Sequence, residues 1–124
     1  MSTLSKIIFK QGTTPTLEAV VDREVIQDAT VYLAVRMHER TITKCSTDDD
    51  VTVEPYMNIH NQQIGTKITA TFTQEETLMM IPGNAHVEVG WVFEDGEAGK
   101  TKIGKILITE SLIKGVMKYV NDAS

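Results

Sequence analysis

Apolar residues along this chain recur at every second position in short runs, and turn-forming residues separate the runs. Alternation at that period sends successive side chains to opposite faces, so each run reads as a half-buried β-strand. The first run is Lys6–Lys10, closed by Gln11-Gly12. In the second, Thr16–Val21, the residues Leu17, Ala19 and Val21 share a face, Pro15 suits a strand start, and Asp22-Arg23-Glu24 reads as the turn at its end. Val31, Leu33, Val35 and Met37 define a third strand whose other face carries Tyr32 and Arg36. His38-Glu39-Arg40 connects it to Thr41–Lys44, where β-branched residues again favour a strand. Ser46-Thr47-Asp48-Asp49-Asp50 is the most polar stretch and reads as a solvated loop.

From Val51 to Thr66 the pattern weakens: Val51–Val53 is a short strand, and Pro55 interrupts the chain soon after it. Lys67–Phe72 restores the alternation, with Ile68, Ala70 and Phe72 inward. Thr73-Gln74-Glu75-Glu76 then has the form of a capping box, in which Thr73 caps and Glu76 reaches back, so one helical turn is expected near 73–77. After the Pro82-Gly83-Asn84 turn comes the best-formed hairpin. Ala85, Val87, Val89, Trp91 and Phe93 alternate inward, Asp95-Gly96 turns, and the return arm runs from Lys100 to Thr109. Gly90 and Gly104 inside these arms mark bulges or close backbone approaches. Leu112, Ile113, Val116, Met117 and Val120 then fall at three- and four-residue intervals, which predicts an amphipathic C-terminal helix over Ser111–Val120. Gly115 opposes it by about 1 kcal/mol, and a swapped or docked strand is the rival. The fold class is therefore all-β, a sandwich or barrel. No repeat, linker or low-complexity tract divides it, so 1–124 is taken as one domain with 111–124 as a terminal interface segment.

Composition narrows the classes without naming one. The chain has 124 residues, 41% hydrophobic and 23% charged, which fits a single globular core. No apolar run approaches the roughly 20 residues that cross a bilayer, so no membrane partner is expected. Met1–Lys6 lacks an apolar secretory core, and synthesis in a cytoplasm is the expectation. Cys45 is the single cysteine, which leaves neither an internal disulfide nor a cysteine zinc cage. The net charge of −5 and the scattered basic residues disfavour direct nucleic-acid binding.

Candidate chemistry does not accumulate. His38, His60 and His86 sit in separate segments without metal-ligand spacing, and Asp48-Asp49-Asp50 lacks the alternate carboxylates, glycine and terminal glutamate of a calcium loop. Glu75-Glu76 would point about 100° apart on a helix and are better explained by capping than by acid–base work. Gly99-Lys100-Thr101 ends like a phosphate loop, but the required first glycine falls on Glu94 and the segment joins two hairpin arms. Trp91 and Phe93 could form a carbohydrate platform if exposed, yet their alternation with Val87 and Val89 favours the core. The expectation is a protein that is not an enzyme, with no catalytic, cofactor or metal site.

Several elements occur together in a familiar order. They are Phe9-Lys10-Gln11-Gly12-Thr13, Phe72-Thr73-Gln74-Glu75-Glu76-Thr77, the Pro82-Gly83 turn, Trp91-Val92-Phe93-Glu94-Asp95-Gly96 and the closing strand Ile103–Ile108. In these the chain resembles the N-terminal immunoglobulin-like domain of phage baseplate upper proteins and related small siphophage tail or neck structural proteins. The stretch Pro55–Ile64 matches no element of that family. The resemblance implies an immunoglobulin-like antiparallel β-sandwich that serves as a tail, baseplate or neck component of the virion. It also implies docking to other virion subunits and homo-oligomeric assembly, because symmetric particles reuse one patch. The candidate contact residues are Leu112, Val116, Met117, Tyr119 and Val120, with Met57, Ile59 and Ile64 in the irregular middle segment. The alternative is a small acidic phage-encoded inhibitor of a host defence enzyme, its carboxylates imitating phosphate.

Overall fold

The computed structural model describes residues 3–4 and 8–120. Its elements in chain order are β1 (Thr3–Leu4), β2 (Ile8–Lys10), β3 (Thr16–Asp22), β4 (Thr30–Arg36), β5 (Thr41–Cys45), β6 (Val51–Met57), β7 (Gln63–Thr71), α1 (Gln74–Leu78), β8 (Gly83–Val92) and β9 (Ala98–Thr109). Lys6 and Ile7 of the first expected run lie outside the described residues. The strands form two sheets, β1-β3-β7-β6 (sheet A) and β2-β9-β8-β4-β5 (sheet B). The opening of the chain is divided between them: β1 pairs antiparallel with β3, and β2 pairs parallel with β9. This strand order is that of an immunoglobulin-like β-sandwich. Every other pairing is antiparallel.

The alternation read from the sequence fills the space between the sheets. Leu17, Ala19 and Val21 from β3, Val31, Leu33 and Val35 from β4, Ile68 and Ala70 from β7, and Val87 and Val89 from β8 are buried in one cluster with Phe9, Ile26, Phe72, Ile106 and Ile108. Phe9 and Phe72 meet edge to face, centroids 5.3 Å apart, and tie β2 to the end of β7. Trp91 and Phe93 are half-buried against the same cluster, as the core reading required. Apolar area removed from water on this scale, at about 25 cal/mol per Å2, is the main force holding the sheets together.

The capping box forms as expected. Thr73 accepts from the Glu76 amide while the Glu76 carboxylate accepts from the Thr73 amide at 2.8 Å. Thr77, fully buried, then fastens α1 to the β2–β3 turn: its hydroxyl accepts from Gly12 N at 2.9 Å and donates to Thr13 O at 2.8 Å.

Several expectations need correction. Pro55 does not interrupt the sheet, since β6 runs through it to Met57 with Pro55 opposite Thr66. β6 is an edge strand, so a residue without an N–H leaves no ladder bond unmade there. The register shift in the long hairpin lies between Val87 and Glu88, where Ile103 has no partner in the ladder, so Gly104 flanks a bulge. Gly90 has only ordinary contacts; the close approaches are at Gly65 and Gly99. The expected C-terminal helix is absent: Glu110–Val120 is irregular and extended, with Gly115 at φ +96°. A ten-residue helix is marginal in water unless its stripe packs on something, and this stripe is left largely uncovered, with Leu112, Ile113 and Val120 mostly exposed.

Candidate functional site

The terminal segment is held as a strap across the end of the sandwich that carries α1. Its root is fixed where Ser111, nearly buried, donates its amide to Gln11 Oε1. Further along, the Gln74 side chain pairs with the backbone of Met117 in both directions, donating to its carbonyl at 2.9 Å and accepting from its amide at 2.6 Å. A side-chain amide thus does what a neighbouring strand would do, and this favours extended over helical backbone. The backbone is anchored while the apolar side chains are not covered. Leu112 is 98% exposed, Tyr119 91% and Val120 78%; Val116 and Met117 are about half exposed.

The other candidate residues lie on the β6–β7 hairpin. Its tip is organised by Asn58, whose Oδ1 accepts from His60 N and Gln62 N, with Asn61 at φ +57°. Ile59 stands 94% exposed at that tip, and Met57 and Ile64 flank it with partial cover. β7 separates this tip from α1 and the strap. Its nine residues at about 3.3 Å each put the two patches at opposite ends, on the order of 30 Å apart. The structure brings Leu112, Val116, Met117, Tyr119 and Val120 into one strap but does not unite them with Met57, Ile59 and Ile64. Residues 121–124 of the expected interface segment lie outside the described residues.

Two features had no place in the sequence expectations. The first is Lys44, buried to 3% exposure among apolar side chains. Its ammonium uses all three donors, to Asp50, to Thr71 O at 3.0 Å and to Glu76 Oε1 at 2.8 Å, and lies 4.9 Å from the centre of the Phe72 ring. Burial opposes the charge, but the hydrogen bonds that Lys44 donates to Asp50 and Glu76, with the charges of those carboxylates, outweigh it, so the Lys44 pKa is raised above the ordinary lysine value. Asp50 is therefore part of a clamp between β5, the 46–50 crossover and α1, and the polar run is not merely solvated. The signal was available: Lys44 shares the inward face of β5 with Ile42.

The second is the distribution of charge. On sheet A, Lys67 stands 3.1 Å from Glu54 and 3.9 Å from Glu18, and the hydrogen bond to Glu54 with both charges raises its pKa. On the outer face of sheet B lie Lys10, Arg36, Lys100, Lys102 and Lys105, and among the described residues none of these has an ion pair. The basic residues that looked scattered are gathered by strand register: Arg36 lies beside His86, His86 beside Lys105, and Glu88 beside Lys102. His38 and His86, from separate segments, line one cleft on this face.

No protein-family model matches the chain, and no curated protein sequence matches it. Among solved structures it is similar to the fibronectin(III)-like modules of Clostridium thermocellum CbhA, at 14% identity and a TM-score of 0.44, over 91% of this chain and 99% of that one.

Proposed function

We propose that this domain is a non-enzymatic virion component of a phage tail, baseplate or neck, acting by docking to neighbouring protein subunits through the C-terminal strap. The observation that carries the docking reading is a strap whose backbone is fixed at Ser111 and Met117 while Leu112, Tyr119 and Val120 stand uncovered. A single exposed apolar residue is ordinary, but a run of them on an ordered segment is a surface awaiting a partner. Phage assembly as the setting rests on the sequence resemblance. For the rival reading of an acidic inhibitor, Asp50 of the Asp48–Asp50 run is engaged by Lys44 and is not free to imitate phosphate.

The test is the solution mass of the full chain at physiological salt by light scattering. We expect an oligomer for the native chain and a clear loss of mass for Leu112→Ser/Tyr119→Ser/Val120→Ser, with unchanged far-UV circular dichroism. An oligomer whose mass is indifferent to these substitutions would remove the strap from the reading. Ile59→Ser at the opposite end shows whether the hairpin tip contributes.

A further inference from the structure

We propose a second, electrostatic contact between copies of this chain, in which the acidic β8–β9 tip of one copy seats in the basic trench on the outer face of sheet B of the next. The trench is a cleft of about 560 Å3 lined by Ala34, Arg36, His38, His86, Glu88 and Lys102. It continues past Ala34 and Glu88 into a shallower one bordered by Tyr32, Gly90 and Lys100. Ala34 and Gly90 make the floor low, the cations rise along its sides, and Lys10 and Lys105 extend the positive field. Glu88 is the one carboxylate on this face among the described residues. Ile8, Tyr32 and Leu107 are large apolar residues exposed on the same face, a mixture suited to a protein partner.

The same chain carries the complementary surface. Asp28, Glu94, Asp95 and Glu97 gather around Phe93 at the end of the β8–β9 hairpin. Bonds from Phe93 N to Glu97 O at 2.8 Å and from Gly96 N to Phe93 O at 2.9 Å make that turn tight and convex. A turn fixed in this way cannot fold back onto its own sheet, so its carboxylates reach a trench only in another molecule. Contact between two different patches is heterologous and repeats around a ring or along a stack. A polyanion such as nucleic acid is the weaker occupant, because the chain as a whole carries −5 and repels it at long range, whereas a local match acts within a Debye length of about 8 Å.

The face measures roughly 24 Å across five strands and about 20 Å along them, near 500 Å2, against about 800 Å2 per partner in a stable dimer. The contact should therefore be weak alone and effective in a repeating assembly. This deepens the docking reading, and salt separates the two: apolar contacts through the strap persist or strengthen in salt, while the trench contact is screened.

The experiment is sedimentation equilibrium of the full-length Leu112→Ser/Tyr119→Ser/Val120→Ser chain at up to about 1 mM, in low and in high NaCl, where the Debye length falls to about 3 Å at 1 M. The expected result is concentration-dependent association at low salt, weakened roughly tenfold or more at high salt. Lys102→Glu/Lys105→Glu added to that chain, and separately Glu94→Lys/Asp95→Lys, should each abolish it. Mixing the two should restore association as an alternating assembly, since each tip then meets a trench of opposite charge, and combining them in one chain should restore it as well. A strap variant that stays monomeric at low salt overturns the trench contact and leaves the docking reading intact. So does association indifferent to the charge reversals, or a single-stranded oligonucleotide that binds the trench and is not displaced by protein.

Discussion

The outer faces of the two sheets are made from the same alternating strands, yet they treat charge and space in opposite ways. On sheet A, Lys67 is matched by Glu54 and Glu18, and Gly65 is so close to β3 that a Cβ there would sit 2.4 Å from Val21 O. On the outer face of sheet B the cations have no ion pairs among the described residues, and Gly90 has room, with a Cβ meeting nothing nearer than Lys100 Cγ at 3.6 Å. Sheet A has satisfied itself; sheet B has left a charged, open face. Alternation decides which side chains leave the core, but only cross-strand register decides what they meet outside it.

The sharpest way to break the comparison is at the two glycines. Gly65→Ala should cost about 3 kcal/mol, roughly a 10 °C fall in Tm by calorimetry, because the obstruction is backbone and cannot rotate away. Gly90→Ala should be neutral within about 0.5 kcal/mol. Equal effects would mean that the outer faces are equally tight.

Next comes the clamp joining the sheets at their open side. Lys44→Ala should cost about 2 kcal/mol in urea unfolding, less than a fully buried pair since Asp50 and Glu76 keep partial access to water. The raised pKa sets the pH dependence. The folded state holds the proton more tightly than the unfolded chain, so the contribution is complete below the ordinary lysine value of 10.5 and is lost as pH rises through the folded value. The stability gap between native chain and Lys44→Ala should be flat across neutral pH and narrow in strong alkali. A gap that widened there would contradict the assignment.

The smallest effects concern single surface cations. Lys67→Ala should lower Tm slightly in dilute buffer, and the loss should vanish in concentrated salt, as for any exposed pair. Lys102→Ala should change Tm by no more than the equivalent of about 0.5 kcal/mol, since its cross-strand neighbour Glu88 is not in ion-pair contact and Lys100 and Lys105 repel it. Together these substitutions test whether sheet B holds charge for a partner at no benefit to its own stability.

Much of the fold was legible. The inward sets of β3, β4, β7 and β8, the Thr73 capping box and the Asp95-Gly96 turn all rest on interactions among residues close in sequence, or on a period set by backbone geometry. Pro55 misled because its cost depends on whether its strand has one neighbour or two, and a single strand does not reveal its neighbours. The C-terminal stripe misled because helical spacing shows only that a helix could be amphipathic. Gln74, some forty residues away, supplies the backbone partner that makes the extended form better.

By itself, then, the sequence determined which residues enter the core and where the chain turns, because period-two burial and turn stereochemistry are local. Tertiary structure alone decided that Lys44 is paired with Asp50 and Glu76, that the two apolar patches stand at opposite ends, and that Lys10, Arg36, Lys100, Lys102 and Lys105 share one face. Each of these depends on which distant strands lie side by side, and on charges whose energies are set by neighbours that the linear order does not name.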